Sequence, residues 1–193
     1  MNRGPTIFLY DTLPGGAGFS SQLVDRGDEL LQHALKIVKT CPENCDASCY
    51  RCLRSFKNKF EHGLLDRHVA AELLEFLITG EVPSFEKERI AASTELLFSD
   101  LLRQGYEGFE FSMYAEFTVK GERKTFVPIL PTAEDGRQFV IALSAPLAIG
   151  HPDSADVREL QVNSDVQTIV INELVVRGNL PSATREVRQF LQS

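Results

Sequence analysis

Cys41, Cys45, Cys49 and Cys52 fall within twelve residues in the spacing C-x3-C-x3-C-x2-C, and the chain has no other cysteine. Four thiolates complete the tetrahedral shell that structural Zn2+ sites use. One zinc ion would engage every sulfur and leave no odd thiol. An iron–sulfur cluster also takes four cysteines and is the alternative metal reading. Disulfides fit less well. Met1–Gly4 runs into a folded-looking segment with no apolar signal region ahead of it, and closely spaced cysteines in a reducing cytosol favour metal over disulfide. The expected location is cytoplasmic. Four unrelated free thiols at this density are the blandest reading.

The residues around the cysteines carry a second chemistry. Arg51, Arg54, Lys57 and Lys59 lie in nine residues that contain no acidic side chain, and Tyr50, Phe56 and Phe60 alternate with them. Cations interleaved with aromatic rings suit nucleic acid, the cations meeting phosphates and the rings stacking on bases. The plain alternative is a solvated basic collar that offsets the −2 formal charge of a Zn(Cys)4 centre. The chain as a whole carries a net charge of −7, which repels a nucleic-acid backbone and would confine contact to this face. His62 and His68 are nearby substitutes for a cysteine ligand, but a full cysteine set leaves them no vacancy. His33 and His151 have no recognisable partner.

A third candidate is the turn Pro14-Gly15-Gly16-Ala17-Gly18. Gly15, Gly16 and Gly18 sit between a strand-like run and a helical one. Backbone N–H groups at such a helix start suit an anion, so the turn is a candidate phosphate-binding loop. Gly16–Ser21 nearly spells the dinucleotide fingerprint, but Ser21 stands where its last glycine belongs. The simpler role is a tight turn that lets helix pack on strand.

The elements that must position these residues read as two parts, 1–82 and 83–193. In the first, Thr6–Leu13 is rich in β-formers and reads as a buried strand. A helix is expected from about Ser20 to Lys39, capped by Ser20 or Ser21, with Leu23, Leu30, Leu31, Ala34, Leu35 and Val38 on its apolar face. The cysteine knuckle follows. A second helix runs from about Leu65 to Leu77, with Asp66 near its start and Gly80 at its close. Glu81–Ser84 is a turn-like joint.

In the second part, Phe85–Gln104 reads as a helix with Ile90, Leu96, Leu97, Leu101 and Leu102 inward. Strands are expected at Gly108–Val119, Lys124–Leu130 and Arg137–Ser144, then a short helix at Asp153–Gln161. Val166–Val176 reads as a strand buried on both faces over Val166–Ile171, and Pro181–Leu191 as a terminal helix. The order α-β-β-β-α-β-α predicts an α/β (α+β) chain with a mixed sheet. No apolar run approaches the roughly 20 residues of a membrane helix.

Together, Leu9-Tyr10-Asp11-Thr12-Leu13-Pro14-Gly15-Gly16-Ala17-Gly18-Phe19 and the downstream cysteines with Tyr50-Arg51-Cys52 resemble the zinc-binding domain of MrfA-like superfamily-2 DNA helicases. The same domain occurs in helicase-associated proteins of DISARM- and Druantia-type antiphage systems. The resemblance covers about residues 5–80. It implies Zn2+ as cofactor, Cys41, Cys45, Cys49 and Cys52 as ligands, a helicase or other defence or repair subunit as partner, and DNA met through that complex. The motor lobes are missing: there is no P-loop and no D-E-x-H. The triplet Cys45, Cys49, Cys52 also matches the C-x3-C-x2-C of radical-SAM enzymes. Arg51, however, stands where an aromatic precedes their last cysteine, and the chain is too short for their barrel.

The α-β-β-β-α-β order of the second part resembles the core of PD-(D/E)xK nucleases. Such a core needs an Asp on one strand and a [DE]-x-K on the next to hold Mg2+. Arg137–Ser144 offers neither carboxylate nor lysine, and Glu110, Glu116, Asp135 and Glu173 follow no motif. Three function classes follow. The first is a non-catalytic zinc module of a helicase-containing DNA-processing or defence complex. The second is a divergent metal-dependent nuclease, and the third a zinc-stapled scaffold without DNA contact.

Overall fold

Pro42 sets where the long helix of the first unit must stop, because the residue before a proline is pushed out of the helical region. The computed structural model of the chain describes residues 10, 18–23, 25–81, 86–119, 123–148, 152, 155–163 and 166–193. It divides into two units, Met1–Pro83 and Ser84–Ser193. Apart from Tyr10, the expected strand at Thr6–Leu13 and the turn residues 14–17 lie outside the described residues.

In the first unit, a four-residue helix α1 (Phe19–Gln22) is followed by α2 (Gly27–Lys39). The single helix expected from Ser20 to Lys39 is therefore two. Gly27 opens α2, and glycine is the weakest helix former after proline. Ser20 and Ser21 lie inside α1 instead of capping it. Gly18, at φ +75°, holds the cap position, and the Ser21 hydroxyl donates back to its carbonyl at 2.7 Å. Asp28 and Glu29 open α2 and Lys36 and Lys39 close it, each matched to the sign of the helix end. Past the knuckle comes α3 (Arg67–Thr79). Asp66 caps it by accepting from the amides of His68 and Val69 at 2.9 and 3.2 Å. Gly80 ends it in the left-handed region at φ +75°. α2 and α3 pack on each other, and Lys39 on α2 pairs with Glu75 on α3.

The second unit is a four-stranded sheet in the order β1-β2-β3-β4. Its strands are β1 (Phe109–Val119), β2 (Arg123–Ala133), β3 (Phe139–Ser144) and β4 (Gln167–Asn172). The first three form an antiparallel meander, and β4 joins β3 in parallel after the crossover helix α5 (Ala155–Asn163). The sheet is mixed, as expected. One face carries α4 (Lys87–Gln104), α6 (Glu173–Gly178) and α7 (Leu180–Leu191). There Leu97, Leu101, Ile129, Ile141, Leu143, Ile171 and Val187 form the main core. The other face packs Phe117, Val127, Val140 and Ala142 against Val157 and Leu160 of α5. β3 is buried at every residue because it faces both cores, which explains its unbroken apolar run.

Three expectations change here. Val166–Val176 is not one strand: Asn172 accepts from the Leu174 amide at 3.0 Å and turns the chain into α6. β4 is an edge strand, and of its residues only Ile171 is fully buried. Leu96 and Leu102 point outward at 38% and 52% exposure, while Leu97 and Leu101 are fully buried. The helix shows the sheet a narrow stripe, not its whole apolar set.

Candidate metal centre

Where α2 stops at the Lys39–Thr40 junction, Cys41 enters a chain of tight turns. The Thr40 amide and hydroxyl both return to the Lys36 carbonyl, at 2.9 and 2.8 Å. The Asn44 amide donates to the Cys41 carbonyl at 3.0 Å, and Asn44 itself sits at φ +41°. The amides of Cys52 and Arg54 both donate to the Cys49 carbonyl, at 3.1 and 2.9 Å. These turns gather all four sulfurs. The Sγ separations are 3.8 Å for Cys41–Cys45, 3.5 Å for Cys41–Cys49, 3.7 Å for Cys45–Cys52 and 3.8 Å for Cys49–Cys52, and every pair lies within 4.8 Å. None is disulfide-bonded. A tetrahedron with Zn–S arms of about 2.3 Å has edges of about 3.8 Å. The four sulfurs therefore converge on one ion. An iron–sulfur cluster would spread them over several metal atoms.

Backbone amides favour thiolate at some of the four sulfurs, and burial among neighbouring thiols opposes it at others. The amide of Arg51 donates to Cys49 Sγ at 3.3 Å, and that of Cys49 to Cys52 Sγ at 3.2 Å. Burial opposes ionisation of Cys41, but the amides of Glu43 and Cys45 and the neighbouring thiols outweigh it, and its pKa falls to about 7. Burial and the surrounding thiols push Cys45 up to about 12.

Arg67, at the first turn of α3, is the residue that sequence reasoning missed. Only 7% exposed, it donates from Nε to the Cys45 carbonyl at 2.6 Å, from Nη1 to the Val38 carbonyl at 3.2 Å and from Nη2 to Asn44 Oδ1 at 3.0 Å. Its own amide donates to the Ala47 carbonyl at 2.7 Å. One guanidinium ties the end of α2, the knuckle and the start of α3 together. Its positive charge is buried beside a centre whose ligands are anionic. An arginine at the start of a helical run carries no motif, so only the fold reveals this role.

The basic run divides. Arg51, Lys57 and Lys59 are exposed, whereas Arg54 is half-buried and donates from Nε to Ser48 Oγ at 2.9 Å. Tyr50 and Phe56 are exposed at 67% and 77%. His62 is no ligand in this arrangement: its Nε2 lies 3.0 Å from the Ser55 carbonyl and its ring meets Tyr50 edge-on. Gly15 and Gly16 lie outside the described residues. Gly18 heads a helix of four residues, which gathers little of a macrodipole.

Among the described residues, the carboxylates of the second unit do not assemble. Glu116 pairs with Lys124, and Asp135 with Arg137 at 2.7 Å. Glu173 is fully buried and takes Arg89 Nε and Ser93 Oγ, both at 2.9 Å. β2 and β3 hold no carboxylate at all. Among the described residues, the four cysteines are the one group of three or more His, Cys, Asp or Glu placed to hold a metal ion.

Residues 1–53 match the family model of the MrfA Zn-binding domain. Over 190 residues, 96% of its length, the chain is 32% identical to the Druantia protein DruE of Escherichia coli (strain UMEA 4076-1), of which it covers 9%. It is 34% identical over 73 residues to the uncharacterized protein MJ1572.1 of Methanocaldococcus jannaschii, covering 38% of this chain and 63% of that one. It is 37% identical over 49 residues to the uncharacterized ATP-dependent helicase YprA of Bacillus subtilis, covering 25% of this chain and 6% of that one. The chain thus spans less than two thirds of each of these relatives. No solved structure matches it. The chain carries a zinc-binding domain, and its four-cysteine cluster is positioned to bind a metal ion.

Proposed function

We propose that this chain, whose residues 1–53 match the MrfA Zn-binding domain, is a non-catalytic zinc module of a helicase-containing complex in DNA processing or antiphage defence. Cys41, Cys45, Cys49 and Cys52 hold one zinc ion. The exposed cations Arg51, Lys57 and Lys59 meet DNA beside it, while Arg54 braces the knuckle from behind. The observation that carries this reading is the four-sulfur tetrahedron standing next to an acid-free basic run. Likeness to a Druantia protein and to a helicase supports the setting. With a net charge of −7, the chain binds DNA weakly alone and better within its complex.

The test is copurification of the tagged chain from its host, followed by DNA binding of the assembly across a salt series. A helicase-bearing partner is expected. Arg51→Ala, Lys57→Ala and Lys59→Ala combined should keep the zinc and flatten the salt dependence by about 0.7–0.9 log units per lost phosphate contact. If the triple variant binds DNA as the parent does, the run is a collar around the metal and the module is a scaffold.

A further inference from the structure

Phe60 is 86% exposed, and Phe56 beside it is 77% exposed. Burying two such rings in the core would stabilise the fold, so their display calls for a ligand. They are not on a loose loop. Phe56 opens a 3-10 turn, Phe56–Asn58, closed by a reciprocal Ser55–Asn58 capping box. The Asn58 side chain donates from Nδ2 to the Leu53 carbonyl at 2.9 Å, and His62 Nε2 lies 3.1 Å from Asn58 Oδ1. A braced mount loses little conformational entropy when a ligand arrives.

Between the two rings stands one cation. Lys59 Nζ lies 4.8 Å from the Phe56 centroid and 4.9 Å from that of Phe60. The ammonium lies over one face of each ring; the opposite face takes a nucleobase and the ammonium takes the adjoining phosphate. Arg51 and Lys57 extend the positive charge and, among the described residues, make no ion pair. A protein partner would also value the rings, but the cores of protein interfaces are depleted of lysine, and here lysine sits at the centre.

We propose that Phe56, Lys59 and Phe60 form a stacking platform for unpaired bases, so that the DNA met by this face is single-stranded. The inference rests on the DNA-contact reading above and specifies the strand form it takes. Stacking needs bases free of their pairing partner, and duplex DNA offers only its phosphates to these rings.

The zinc-loaded full chain, titrated at low salt against labelled oligothymidylate, a duplex of equal length and an abasic strand of equal length, tests it. Phe56→Ala and Phe60→Ala should each weaken oligothymidylate binding about five-fold, and together about 30-fold, with duplex binding unchanged. The parent should bind the abasic strand as weakly as the double variant binds oligothymidylate. Phe56→Tyr with Phe60→Tyr should retain parental affinity. Zinc content, measured on every variant, confirms that the knuckle is intact. The platform is overturned if the double variant binds oligothymidylate as the parent does, or if the abasic strand binds equally well. The rings would then serve a protein partner. Failure of the underlying reading looks different: neither strand form binds, and changing Arg51 and Lys57 alters nothing.

Discussion

Arg67 turns four cysteines that close spacing merely keeps near one another into a preorganised site. Its guanidinium satisfies three acceptors that lie 22 to 29 residues away in sequence. Removing it leaves the carbonyls of Val38 and Cys45 without that donor and withdraws a buried positive charge. Arg67→Ala should therefore weaken zinc retention by about ten- to 100-fold, the range for partners that orient metal ligands. Arg67→Lys keeps the charge but not the fork, and should recover part of the loss. Competition with a chromogenic chelator measures the affinity. The Co2+-substituted protein, read by its thiolate charge-transfer and d–d bands, reports whether the tetrahedron is distorted. An Arg67→Ala protein with parental metal affinity and spectrum would reduce this residue to a helix brace.

Among the elements, α4 and α7 are joined through Asp100. Its carboxylate, 5% exposed, takes the Arg103 guanidinium and Gln104 Nε2, the latter at 2.7 Å; Gln104 in turn donates to Thr184 on α7 at 3.0 Å. The hydrogen bond from Arg103 is the main cause that holds the Asp100 pKa below its ordinary value. A carboxyl depressed in the folded state binds fewer protons there than in the unfolded chain. Its contribution is complete above the ordinary aspartate value of about 3.9 and is lost as the pH falls through the lower folded value. Asp100→Asn should cost the second unit about 1–2 kcal/mol near pH 6. Urea midpoints of variant and parent should converge as the pH falls from about 6 to below the ordinary aspartate value of about 3.9. Curves that stay parallel over that range would show that Asp100 contributes no charge-dependent stability. A second element-scale feature is the β1–β2 hairpin. Phe109 and Phe111 pack on the main core, whereas Ala115 and Phe117, at the same parity, pack on the opposite one. Tyr114, at φ +48°, lies between them, opposite Pro128, where the pairing register has a gap. The left-handed residue and the missing proline N–H let the ribbon roll from one face to the other.

At the scale of the whole molecule, the two units depend on different forces. The second buries a continuous two-faced core around β3. In the first, Val38 and Cys41 are the fully buried apolar residues among those described, and the helices meet over half-buried side chains. The ligand site forms only on folding, so metal-binding energy is folding energy in this unit. Chelation should therefore melt α2, the knuckle and α3 while leaving the second unit folded. Calorimetry should show two transitions, of which only the first shifts with zinc. One zinc per chain by elemental analysis is the matching stoichiometry. A single transition that ignores zinc would refute this division of labour.

Residue spacing alone pointed to a metal site, since four thiols in twelve residues leave few other uses for them, while zinc against iron–sulfur stayed open at that level. It also determined the caps of α3, because Asp66 and Gly80 act through their own local backbone. The strand order of the second unit was legible for the same reason: apolar periodicity and turn residues are short-range signals. Tertiary structure decided what depends on distant partners. It placed Arg67 on the knuckle and left Phe60 outside every core of the described residues. Local sequence specifies which conformations a segment favours. Which side chain meets which is settled only when segments far apart in the chain compete for the same buried acceptors and the same apolar surface.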